Sequence, residues 1–186
     1  QEYDCIGFDH YSANWQVMHC LINHGYQRIA LISGTSPNEP LSDTFRLLCY
    51  REALRRAGIP FDSNLVKDCL WDMELCARQT RELMSLPEPP EVIFAGSDSL
   101  ASSVLSTIYS MGLRCPDDVG VIGFNNIPLS AHMVPPLTTV SIPTRDIGIA
   151  AVQRMMELVR GKGGAKRKIL FPTRLMERQS LKRVTK

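Results

Sequence analysis

Five residues have the types and placement to hold a polyhydroxylated small molecule: Arg46, Trp71, Ser97, Asp98 and Asn125. Trp71 follows the segment LVKDCL, Ser97 and Asp98 follow VIFAG, Asn125 follows VIGF, and Arg46 opens the segment after RIALIS. An indole stacks on the apolar face of a sugar ring, while guanidinium, carboxylate and carboxamide groups make forked hydrogen bonds to neighbouring hydroxyls. Each residue also has a plain structural alternative. Trp71 can cover a sheet edge, Arg46 can pair with Glu39 or Asp43, Asp98 can cap a helix, and Asn125 with Asn126 can supply left-handed turn residues. Their joint placement is stronger than any one of them, because all lie at the carboxyl ends of strand-like runs, where open parallel sheets bind ligands.

Strand-like and helix-like runs alternate along the chain. Residues 3–8, 28–33, 65–70, 92–95 and 119–124 read as short buried strands. Between them, Ser12 is placed to cap a helix that stops at Gly25, residues 45–57 are helical up to Gly58, Asp72 caps a helix over 73–85, and Asp98 opens a helix closed by Gly112. Residues 137–142 are extended, 147–159 form a helix with Ile147, Ala151, Met155 and Leu158 in line, and 169–171 make a last short strand. Such alternation requires an α/β fold, a doubly wound parallel sheet with helices on both faces. No linker or internal repeat divides it, and the helix from Ile147 is expected to lie outside the main layer.

Composition narrows the function classes. At 186 residues, 44% hydrophobic and 22% charged, the chain is long enough for one sizeable core without staples. Its net charge of +2 is too mild to argue for a nucleic-acid or membrane surface. No CxxC pair occurs among the six cysteines, which read as reduced, core-filling thiols. Catalytic residues, metal ligands and cofactors are not expected. GSDS at 96–99 lacks the glycine that a nucleophile elbow needs, there is no phosphate loop or GxGxxG, and the four histidines never fall at HExxH spacing. The basic run KGGAKRK at 162–168 reads as a solvated loop, and Asp117 with Asp118 as turn residues.

Taken in order, GYQRIALISG at 25–34, the segment from Arg46 to Tyr50, VIFAGSDSLA, GLRCPDDVGVIGF, PPLTTVSIP and PTRLMERQS resemble the effector-binding core of lactose/galactose-repressor-type (LacI/GalR) transcription regulators, over nearly the whole chain. The resemblance implies a type I periplasmic-binding-protein-like core whose two lobes enclose a sugar or related metabolite. It also implies a cytoplasmic homodimer whose amino-terminal helix-turn-helix grips operator DNA, with no membrane partner. Arg46, Trp71, Ser97 or Asp98, and Asn125 would face the effector. Two departures from the family pattern shape the expectation. Residues 1–186 hold no helix-turn-helix, so the chain is read as an effector domain consisting mainly of the carboxyl-terminal lobe, with residues 144–167 returning to a mostly absent first lobe. And Asn125 stands where the family commonly has Asp; losing that charge beside Arg46 points to an acidic or phosphorylated sugar. The alternative of the same fold is a periplasmic sugar-binding protein serving a transporter, which the free cysteines and the MERQS tail disfavour.

Overall fold

Apolar residues occupy successive positions of IALIS, VIFA and GVIGFN, so these strands present apolar side chains to both faces of a sheet and each face needs a helical layer. The computed structural model, which describes residues 3–35 and 45–183, has that architecture. Its elements run β1 (Cys5–Phe8), α1 (His10–Asn23), β2 (Ile29–Ser33), α2 (Phe45–Arg56), β3 (Val66–Asp68), α3 (Met73–Met84), β4 (Val92–Ala95), α4 (Asp98–Ser110), β5 (Gly120–Asn125), β6 (Thr138–Ser141), α5 (Thr144–Val159), β7 (Lys168–Phe171) and β8 (Arg174–Met176). The main sheet is ordered β3-β2-β4-β5-β6-β8, parallel throughout except for the β6–β8 edge pair. Leu31, Phe94 and Ile122 join Met18, Leu21 and Leu54 of α1 and α2 on one face. Ile32, Ile93 and Val121 join Leu83, Val104 and Ile108 of α3 and α4 on the other.

Two helix starts differ from the sequence reading. Asp9, not Ser12, caps α1, its carboxylate accepting from the Ser12 amide at 3.2 Å. Ser97, not Asp98, caps α4, its hydroxyl accepting from the Leu100 amide at 3.2 Å. In both cases the alternative cap lies within the same turn, and sequence alone does not rank them. The antiparallel β8 was also unforeseen, since three residues, one exposed and two half-buried, give no periodic signal. It is locked by Ser180, which donates to the Val121 carbonyl at 2.6 Å and accepts from the Thr138 amide at 2.8 Å. Glu39, Asp43 and the loop prolines Pro37 and Pro40 lie outside the described residues. All six cysteines are free thiols, five of them buried and Cys5 exposed.

A smaller unit stands beside this sheet. β1 pairs in parallel with β7, and α5 packs against β1. Arg154 of α5 is buried and fastens the unit: its guanidinium donates to Asp4 at 3.0 and 3.3 Å, to the Ala165 carbonyl at 2.9 Å and to Glu157 at 3.1 Å. The helix keeps an apolar face uncovered, with Val152, Met155 and Val159 at 56%, 57% and 76% exposure. It therefore lies outside the main layer, as its sequence suggested. Replacing Arg154 by Gln leaves Asp4 and the Gly163 and Ala165 carbonyls, to which the guanidinium donates, short of donors. Amide exchange in β1, α5 and β7 is expected to quicken by about tenfold or more while β2, β4 and β5 keep their protection, as hydrogen-exchange mass spectrometry would read.

Candidate ligand-binding site

The strand order reverses between β2 and β4, because β2 is followed outward by β3 on one side and by β4 on the other. Such a switch point opens a crevice at the carboxyl edge of the sheet. A cleft of about 530 Å³ lies there, lined by Phe8, His10, Asn14, Gly34, Thr35, Phe45, Arg46, Trp71, Gly96, Phe124, Asn125 and Ile142. That volume falls within the range of small-molecule sites.

Arg46 is the anchor of the cleft. Its Nη1 donates to the Ser33 hydroxyl at 2.6 Å and its Nε to the Asn14 carboxamide oxygen at 3.2 Å. The guanidinium lies 5.1 Å from the Phe124 ring, 5.7 Å from Phe94 and 5.8 Å from Trp71, distances at which ring faces attract a cation. Burial pushes its pKa down to about 10, so it stays protonated at neutral pH. The lining residues include no carboxylate among those described. Asp68, the nearest acid of β3, accepts from the Thr35 hydroxyl at 2.6 Å and from the Leu70 amide at 2.9 Å.

Backbone strain gathers at the same edge. Among the described residues, the non-glycine positions with positive φ are Leu70 (50°), Trp71 (60°), Asn125 (107°) and Asn126 (56°). Such conformations cost roughly 1–3 kcal/mol each and persist only where the surroundings impose them. After β3 ends at Asp68, the left-handed pair swings the half-exposed Trp71 over Gly34. After β5, Asn126 is pinned by Arg178, which donates to its side-chain oxygen at 2.7 Å, and by its own amide group donating to Ser141 at 3.2 Å. That grip leaves Asn125 on the cleft wall.

Of the five residues singled out from sequence, Arg46, Trp71 and Asn125 line one cleft. Ser97 and Asp98 do not. The Ser97 hydroxyl accepts from its own helix, and Asp98 is fully buried behind the wall, accepting from the Thr139 hydroxyl at 2.6 Å and the Ile127 amide at 2.8 Å. Burial pushes the Asp98 pKa up, against those hydrogen bonds, which favour the charged form. Asp98 thus ties the Asn125–Asn126 turn to α4 and β6. Phe8, His10, Asn14, Thr35 and Phe45 line the cleft without having been expected. Phe8 and His10 stack at 4.0 Å, and His10 faces Phe45 at 6.3 Å, extending the aromatic wall. DHYSAN at 9–14 reads as an ordinary helix start, and only the packing of α1 beside the sheet brings its first turn to the cleft.

These features define an α/β lobe with a cleft of small-molecule size at its switch point. The chain belongs to the periplasmic binding protein-like domain family, whose pattern matches residues 18–181. Its LacI/GalR resemblance holds as well. It is 33% identical over 161 residues to the HTH-type transcriptional repressor CytR of Escherichia coli K12, covering 87% of this chain and 47% of that protein. Among solved structures, a putative LacI regulator of Bacillus cereus superposes with TM-score 0.87 at 30% identity, over 96% of this chain and 62% of that one. A complex of the regulator CelR with cellobiose superposes with TM-score 0.86 at 29% identity, over 96% and 54%. The chain spans about half the length of the curated relatives it matches.

The close approaches yield two expectations. A Cβ on Gly34 would lie 2.4 Å from the Trp71 ring, and one on Gly96 2.8 Å from Arg46 Nη1 and 2.7 Å from the Ser33 hydroxyl. Gly34→Ala should displace Trp71, read as a shift in its fluorescence, and Gly96→Ala should split the Arg46–Ser33 pair in a crystal structure. Asp98→Ala strands a buried amide and hydroxyl and is expected to cost about 2–5 kcal/mol in denaturant unfolding, with Asp98→Asn milder because the Thr139 hydroxyl can turn to accept.

Proposed function

We propose that this chain is the effector-binding part of a ligand-responsive transcriptional repressor, in which a sugar or sugar derivative occupies the cleft and thereby controls operator binding by an amino-terminal helix-turn-helix. The observation that carries the reading is the partly buried, aromatic-walled Arg46 at the sheet's switch point, in a chain whose relatives are named as transcriptional repressors. Arg46, Trp71 and Asn125 are the proposed effector contacts, Trp71 stacking on the ring and the other two engaging its polar groups. In the domain reading, residues 1–186 are mainly the carboxyl-terminal lobe and residues 144–167 return to the amino-terminal lobe. The uncovered apolar face of α5 and the separate β1–β7 pair support that division. The working protein is proposed to be a cytoplasmic homodimer on operator DNA. No helix among the described residues is long and apolar enough to cross a membrane. Catalysis has no part in the reading, in line with relatives that are regulators.

The effector is proposed to carry an acid or phosphate group. Arg46 is cationic and unmatched by a carboxylate among the described lining residues, and Asn125 is neutral. A charged hydrogen bond to a guanidinium contributes about 1.5–3 kcal/mol. Calorimetry on the intact protein should therefore show an acidic or phosphorylated sugar binding at least about tenfold tighter than its neutral parent, and Arg46→Gln should erase that preference. Binding of neutral sugars alone would refute the charge assignment and leave the sugar site standing. The regulatory reading has its own test: saturating effector must change the intact protein's affinity for DNA upstream of its gene in fluorescence anisotropy, and an unchanged affinity sinks it.

A further inference from the structure

Away from the cleft, the last turn of α1 and the segment after β8 bring Cys20, His24 and Glu177 together. One ligand atom from each lies within 4.8 Å of the others. Cys20 Sγ is 3.6 Å from His24 Nδ1, and His24 Nε2 is 4.0 Å from Glu177 Oε2. They border a second pocket of about 300 Å³, with His19, Asn23 and Gln16 beside them.

The ring orientation of His24 is informative. Its Nδ1 lies 2.8 Å from the Cys20 backbone carbonyl, which can only accept, so Nδ1 carries the proton. In the neutral ring Nε2 then presents its lone pair toward Glu177, at a separation too long for a hydrogen bond. A histidine whose inner nitrogen is held by a backbone carbonyl while its outer nitrogen faces an acid is oriented as metal-ligating histidines are. Thiolate, imidazole and carboxylate are the ligand set of zinc-like cations. At bond lengths of 2.0–2.3 Å, a tetrahedral ion needs ligand atoms roughly 3.3–3.6 Å apart, so the three side chains, which lie within 4.8 Å of one another, must close around it.

We propose that Cys20, His24 and Glu177 bind a zinc-like divalent cation, with water or His19 in a fourth position. The cation binds the thiolate, and the thiol proton passes to solvent. Cys20 is buried, His24 is mostly so, and Glu177 extends as an exposed arm, so the ion enters from the pocket side. Arg183, the cation on the pocket rim, is exposed and free to swing into solvent. The site would brace the carboxyl end of α1 against the arm that follows β8. HExxH spacing missed it because Glu177 lies far along the chain and arrives only through the β6–β8 pairing.

Cobalt(II) is a suitable probe, because a cobalt–thiolate bond gives a charge-transfer absorption that nitrogen and oxygen ligands do not. The full chain, stripped with chelator and kept reduced, should develop that band to saturation at one equivalent and lose it on adding zinc. Cys20→Ser should abolish the band, and the exposed Glu177→Gln, which leaves the core untouched, should weaken binding by about tenfold or more. Cys5→Ser, at an exposed cysteine elsewhere, serves as the control and should keep it. Absence of the band, or a band and affinity unchanged in Glu177→Gln, overturns the proposal.

Discussion

A partly buried guanidinium is the constraint around which the carboxyl edge of this lobe is arranged. Removing a cation from water is costly unless hydrogen bonds and polarisable surfaces replace the lost hydration. Arg46 receives both kinds of support, and from separate elements: Asn14 from α1, Ser33 from β2, and the rings of Phe94, Phe124 and Trp71 from β4, β5 and the turn after β3. The carboxyl ends of β2, β4 and β5 are thereby tied to the first turns of α1 and α2. Gly96 lacks a side chain where the guanidinium passes, and Gly34 lacks one where the indole lies.

The strained turns follow from the same requirement. Leu70 and Trp71 take left-handed backbone so that the indole can cover the arginine and form one wall. Asn125 and Asn126 do so to turn the chain off β5 at the opposite wall, held by Asp98, Thr139 and Arg178 behind them. Asparagine tolerates positive φ better than most side chains. At position 125 the neutral amide therefore suits the backbone as well as the cleft.

The cleft is also built from two bodies. Phe8 and His10 come from the β1–α1 junction, and β1 belongs to the small sheet with β7 that Arg154 and α5 secure. A molecule held between Trp71 and His10 would touch both the main sheet and this appendage. Under the proposed function, linkage is the physical route from binding to control: an effector shifts an equilibrium between two arrangements by its difference in affinity for them, and by no more.

The amino-acid sequence by itself determined the alternation of strands and helices, the two-faced parallel sheet, and the gathering of Arg46, Trp71 and Asn125 at its carboxyl edge. Local patterns carry that information: apolar runs, caps and glycine stops act within a few residues, and strand ends face one edge in any parallel sheet. Tertiary structure alone decided which nearby polar residue does which task. Ser97 and Asp98 are adjacent and equally plausible at the site, yet Thr139 and Ile127, about 30 to 40 residues downstream, draw the Asp98 carboxylate into the core. Likewise His10, Asn14 and Phe45 reach the cleft, and Glu177 reaches Cys20 and His24, only because helix packing and the β6–β8 pairing bring distant segments together. Such placements depend on long-range contacts, and no spacing along the chain encodes them.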